Sequence, residues 1–570
     1  MKFATMMKPL SFLLFFVASY TAIASEQIVF QAMGDSLERS MKMLTGQDST
    51  APYFISYTLH QDEQIQMNSM LGGIRSESQV ASNTLEVQVR VGSYELDNTN
   101  FLVNRRSNNF PLTTPDVPLE FDYEILRHHL WLLTDSAYKN AVEIYGEKTT
   151  ALDNNSVDYE VADFSRQEPV TFRDNRRHGK LDRDAIAKRV NDISSVLSDY
   201  PEILNSNTAI TVDIHQDYYL DSEGTSFTRV DDIAELTVVI STQAENGAPL
   251  LDTVSDVVRR SDQFQDVETF KDEVRSVAET IAAMRSANEL ENYNGPVLFV
   301  EGAAIELAAH FLGSAFIAQK DAIRKLSNNQ IRVASIPNNP FQTKIGARVL
   351  PREFTVYNDS LLESYNGVPL HGTIPIDAEG VLATRTNLIE RGILRGLLTS
   401  RQPVEGIDQS TGNRLAGRGP VPTNLIIETN RGFSNEEMLE EFQLLVSDRG
   451  LEYGILAKRA VRGVGVIGSQ PKSMMINEVY KVYPDGTQEL MQQGRVSQFV
   501  LSNFKDIIAA SERVNVKTHM GRYAVGSPPS TATNIMSVAT PDLLFEEITL
   551  TPAQTVRAKP PILPSPMEES

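Results

Sequence analysis

From Leu85 to Val91 the chain alternates strictly, with Leu85, Val87, Val89 and Val91 apolar and Glu86, Gln88 and Arg90 polar. A period of two marks a strand with one wet face. Upstream the period is different. Phe30, Met33, Leu37, Met41 and Leu44 recur every three or four residues, the stripe of an amphipathic helix, and Pro52 then opens an extended aromatic run from Tyr53 to Leu59. Further strands are expected at Ala209 to Ile214 and Ala234 to Thr242. Between the first strands and these a helix is expected over Tyr123 to Ala141, and a further one follows over Phe270 to Met284, where Val274, Val277, Ile281 and Met284 form the apolar stripe. The polar segment Ser286 to Asn294 reads as a domain boundary. From Gly295 to about Leu550 the pattern changes to short β-like stretches separated by Gly, Pro, Asn and Asp, interrupted by a helix at Glu436 to Arg449. The expected fold class is α+β: an N-terminal α/β sandwich-like domain over 25–290, then a mostly-β C-terminal domain over 291–551. Beyond it, 552–570 carries prolines at 552, 560, 561, 564 and 566 and is expected to be disordered.

Length agrees with two domains, since 570 residues exceed what one core serves. Residues 1–24 change the picture further. Lys2 and Lys8, an apolar run from Leu10 to Val17, and Ala22-Ile23-Ala24 before Ser25 follow the order of a secretory signal peptide. That run falls short of the roughly 20 apolar residues a membrane span needs. The mature protein is therefore expected to be exported, periplasmic or extracellular, without stable membrane insertion. The absence of cysteine excludes a lipoprotein anchor, disulfides, a thiol nucleophile and thiolate metal ligands. A net charge of −22 argues against nucleic acid as partner, because phosphate binding needs a basic footprint.

Candidate chemistry concentrates in Gly295 to Gly313, GPVLFVEGAAIELAAHFLG, which reads as a strand over Pro296 to Val300, a Glu-Gly turn and a helix. Glu306 and His310 stand four apart, so on a helix they share a face. Ala304, Leu307, Ala308, Phe311 and Leu312 surround them, and a lone histidine in such company is more often a satisfied core residue than a ligand. His371 reads as a surface-loop histidine, and His128 and His129 as ordinary helix positions on different faces. Gly463, Gly465 and Gly468 spell GxGxxG, but Pro471 follows and no helix begins there to present amides to a pyrophosphate. No GxSxG elbow and no GxxxxGK[ST] loop is present.

The Ile305 to His310 stretch resembles the HExxxH signature of the TldD/PmbA metallopeptidase family. Further segments follow in the family's order: KIGARVLPR at Lys344 to Arg352, YNGVPLHG at Tyr365 to Gly372, DAEG at Asp377 to Gly380 and LIERGILRGLLTS at Leu388 to Ser400. DNTNFL at Asp97 to Leu102 and SEGT at Ser222 to Thr225 resemble an exported branch of TldD-related proteins, in which the zinc motif is commonly degenerate. The resemblance implies a TldD/PmbA-type C-terminal domain, zinc as the family's metal, and unstructured peptide as substrate. It implies pairing too, since known members work as a zinc-holding protein beside a relative without the motif. Here Ile305 stands at the first histidine position, Glu306 at the water-activating glutamate and His310 at the second histidine. The family's distal cysteine falls within Lys517 to Gly521, near Met520, where His519 is the adjacent candidate ligand. A catalytic zinc needs about three protein ligands and an open position, which Ile305 does not help to supply. Three readings stay open: a non-catalytic or catalytically reduced subunit in a homo- or hetero-oligomer with a TldD/PmbA-family protein, an active zinc enzyme with a rearranged shell of Glu306, His310 and His519, or an envelope peptide-binding or structural protein without catalysis.

Overall fold

A computed structural model describes residues 10–44, 50–103, 106–107, 112–155, 160–326, 330–334, 339, 341–415, 419–461, 473–525 and 530–553. The GxGxxG stretch and all but the start of the proline-rich tail lie outside them. The alternating segments pair into an antiparallel sheet whose strands run, edge to edge, Pro249–Val258, Ile233–Gln243, Asn205–Asp221, Pro52–Met70, Gly73–Val91 and Leu112–Val117. Its apolar face carries two clusters. Ile55, Tyr57, Leu59, Leu85 and Val87 pack under the helices Leu10–Met43 and Tyr123–Asn155. Ile65, Met67, Ile210 and Val212 pack under Arg183–Ser194 and Val267–Ala283. On Pro52–Met70 those buried apolar residues are all odd-numbered, so by the pleat the even-numbered ones face the other way.

The second body is a barrel. Tyr293–Phe299 pairs in parallel with Gly454–Val461, which pairs with Met474–Val482, then Gly494–Val496, then the long strand Ser530–Pro552, which returns to Tyr293–Phe299 and closes the ring. Ser530–Pro552 also pairs with Ile507–Val525 and with Asn424–Thr429, extending the sheet through Phe354–Asp359 and Arg385–Glu390. The largest apolar cluster of the molecule fills this domain. The architecture is thus the expected α+β, a helix-covered N-terminal sheet followed by a mostly-β domain with a barrel.

The bodies interlock as well as abut. Ala322–Lys325 from the second pairs in parallel with Phe101–Val103 from the first. Lys320 donates to Asp163 at 3.0 Å, and Asp163 also binds Lys148 at 2.5 Å; all three are buried. The Asp97 carboxylate beside them accepts from Arg90 at 2.7 Å and from the Tyr53 hydroxyl at 2.8 Å, so the DNTN loop is held by buried, paired charges. Among the described residues no helix is long and apolar enough to cross a membrane.

Candidate functional site

The strand-turn-helix read from Gly295 to Gly313 is present. Tyr293–Phe299 ends at Val300, Glu301 takes a left-handed φ of 47°, and the helix starts there. The Glu301 amide donates to Asp542 Oδ1 at 2.9 Å, and Asn515 Nδ2 donates to the same oxygen at 2.7 Å. One carboxylate therefore ties the helix start to both long strands of the hairpin that carries His519. After Leu307 the helix widens into a π-helical stretch, Ala308–Gly313, which contains His310. Such widened turns recur at functional sites.

Ile305 is only 4% exposed and belongs to the main apolar cluster with Ala304, Leu307 and Ala308. Glu306 is half-buried. His310 is buried, with its ring 4.9 Å from that of Phe311, which in turn packs on Phe499. His519 is buried on Ile507–Val525, opposite Met536 of the adjoining strand. The fit to zinc is poor. The first ligand position is filled by hydrocarbon, the chain has no cysteine, and Glu306, His310 and His519 do not gather as three ligand atoms within 4.8 Å of one another. No catalytic step through a metal follows from this arrangement.

The family-like loops form a joint between the two bodies. Asp377, at the head of DAEG, accepts amide hydrogens from Glu379 at 2.8 Å, Val381 at 3.0 Å and Arg414 at 3.1 Å. Burial and the neighbouring Glu379 carboxylate nevertheless push it up to about 7. Gly380 has a φ of 76°, and a Cβ there would sit 2.5 Å from the Thr225 methyl, so DAEG closes directly on SEGT. Arg401, just past the LLTS segment, is buried and pairs with Glu223 of SEGT at 2.7 Å, while its own amide donates to Glu379 at 2.7 Å. His371 departs from the surface-loop reading: it is half-buried, its amide donates to Ser537 Oγ at 2.9 Å, and its carbonyl accepts from Arg259 of the first body at 2.6 Å. Burial and the Arg259 charge hold His371 down to about 4. The exposed His128 and half-buried His129 sit on the second helix as expected.

One group of ligating side chains escaped the sequence reading. His60, His215 and Asp217 bring ligand atoms within 4.8 Å of one another, the one such trio found among the described residues. The available signal was a repeated tripeptide, His60-Gln61-Asp62 and His215-Gln216-Asp217.

Residues 293–552 match the family model described as the PmbA/TldA metallopeptidase C-terminal domain. The fold is similar to that of TldE from Thermococcus kodakarensis, with a TM-score of 0.59 and 15% identity over 91% of this chain and 100% of that one. Similar too are candidate modulators of DNA gyrase from Thermotoga maritima (TM-score 0.58, 13% identity, 91% and 99% covered) and Bacteroides thetaiotaomicron (0.57, 11%, 92% and 98%). No curated protein sequence matches the chain significantly. At these identities the solved structures speak for the fold, while the family model speaks for the barrel domain and the strand-turn-helix inside it. Residues 293–552 therefore form a PmbA/TldA-type metallopeptidase C-terminal domain, which ties this part of the chain to the TldD/PmbA family.

Proposed function

We propose that the chain is an exported, non-catalytic member of the family that helps to handle unstructured peptides beside a zinc-competent relative. The observation that carries this reading is Ile305, which occupies the first ligand position and is packed into the core at 4% exposure. A histidine there would have to replace buried hydrocarbon, and two imidazoles with one carboxylate that do not converge make no open three-ligand shell. The family-like loops do not bear on partnership, because DAEG and SEGT meet each other inside the chain. Partnership rests on the family's habit of pairing and on the disabled helix; export rests on the Ala22-Ile23-Ala24 site before Ser25.

The test mixes the mature chain with exported relatives that carry an intact HExxxH, and follows size-exclusion chromatography with light scattering and peptide cleavage. A stable complex is expected, burying about 1,200 Å² or more, with cleavage only in the mixture and undiminished by Glu306→Gln in this chain. A strict monomer that binds none of them, or cleavage by this chain alone that Glu306→Gln abolishes, contradicts the proposal. Sequencing of the native N-terminus should begin at Ser25; retention of Met1 removes the export part.

A further inference from the structure

The two His-Gln-Asp tripeptides lie on neighbouring antiparallel strands in mutual register, His60 opposite Asp217 and Asp62 opposite His215. Residues two apart on a strand share a face, so this register gathers two imidazoles and two carboxylates on the face turned away from the helices. His60 Nδ1 lies 2.6 Å and His215 Nε2 2.8 Å from the same oxygen, Asp217 Oδ1. Each ring's other nitrogen faces a second carboxylate: His215 Nδ1 is 2.5 Å from Asp62, and His60 Nε2 is 3.8 Å from Glu86. Arg229 holds the remaining Asp217 oxygen at 2.5 Å and reaches the Ile376 carbonyl, which places the cluster beside the joint.

We propose that His60, His215 and Asp217 bind one divalent transition-metal ion of the zinc or copper kind, at a site separate from the family's zinc helix. Imidazole suits zinc, copper and nickel, and zinc accepts carboxylate oxygen alongside it. Three protein donors leave a fourth position for water or an outside ligand. The surrounding carboxylates supply what metal-bound histidines usually have, an acceptor on the ring nitrogen that does not touch the ion. Charge permits it too. Each ring faces a carboxylate at both nitrogens, so both are imidazolium without the ion and, with Arg229, balance Asp62, Glu86 and Asp217; one divalent ion that displaces the two Asp217-facing protons keeps that balance. Metal–ligand bonds of about 2.0–2.2 Å put tetrahedral donors roughly 3.3 Å apart, so the contacts of 2.6 and 2.8 Å need to open by about 0.7 and about 0.5 Å. The histidine side chains are 17% and 19% exposed, which gives an ion access, while Asp217 at 1% is fixed. On binding, the ring protons that point at Asp217 leave to water and the ring nitrogens turn their lone pairs to the metal.

The test strips the full chain with chelator and titrates it with zinc chloride alone by calorimetry. One ion per chain is expected, with affinity lowered tenfold or more by His60→Gln and by His215→Gln. Asp62→Asn, which keeps all three donors, should weaken binding by about tenfold or more through the lost ring acceptor. His310→Ala should leave it unchanged. Copper(II) added to the unmutated chain gives a readout independent of variant folding, an electron paramagnetic resonance spectrum with splitting from two nitrogen donors. Absence of stoichiometric binding, binding indifferent to both histidine substitutions, or a copper spectrum without two nitrogen donors would overturn the proposal.

Discussion

Ile305 puts buried hydrocarbon at the first ligand position of the HExxxH-like helix. Its place in the apolar cluster makes it a packing residue, so Ile305→Ala should cost about 2–5 kcal/mol, read from the midpoint of denaturant unfolding; a loss below about 0.5 kcal/mol would show the position is not core. Glu306 and His310 were legible from sequence because a helix signature is contiguous. His60 and His215 were not. The expected strands ended at Leu59 and Ile214, the residues immediately before them, because the apolar alternation stops there. It stops for a physical reason: on the helix-facing side Leu59 is followed by Gln61 and Glu63, and Ile214 by Gln216, so both faces are polar there and the strands run on to Met70 and Asp221 without hydrophobic contrast.

At the scale of elements, amphipathic periods placed the cores well and the ends poorly. The helix expected to finish at Ala141 continues to Asn155, burying Ile144, Lys148, Ala151 and Leu152. Lys148 is buried as a partner of Asp163, which also binds the distant Lys320, so its burial depends on a contact that local pattern does not show. The stripe Val274, Val277, Ile281 and Met284 was legible because each packs on the sheet. The helix Arg183–Ser194 was missed although its buried positions, Ile186, Val190 and Ile193, stand at helical spacing between charged residues; the signal was legible, but only three turns long. Barrel closure likewise depends on a strand near residue 550 returning to one near 295, which local pattern does not encode.

For the whole molecule, the joint between the bodies decides how they respond to pH. His371 is held down to about 4 by burial and Arg259, against about 6.5 in an unfolded chain. The folded state therefore favours the neutral ring, and its contribution is complete above about pH 6.5 and lost as pH falls toward 4. Relative to wild type, His371→Gln should gain stability at pH 5 over pH 7.5, on the order of 1 kcal/mol, measured by denaturant unfolding at both pH values; an equal difference at both would exclude this role. Asp377, pushed up to about 7, works in the opposite sense, with its contribution lost as pH rises from about 4 through 7, so only the variant comparison isolates the histidine.

If the helix of Ile305, Glu306 and His310 holds no zinc, elemental analysis of dialysed protein should show it. Wild type, His310→Ala and the double variant His60→Gln/His215→Gln are compared. The same zinc content is expected in His310→Ala as in wild type, with any tightly held ion lost only from the double variant. One tightly held zinc per chain that disappears in His310→Ala and survives in the double variant would contradict this expectation.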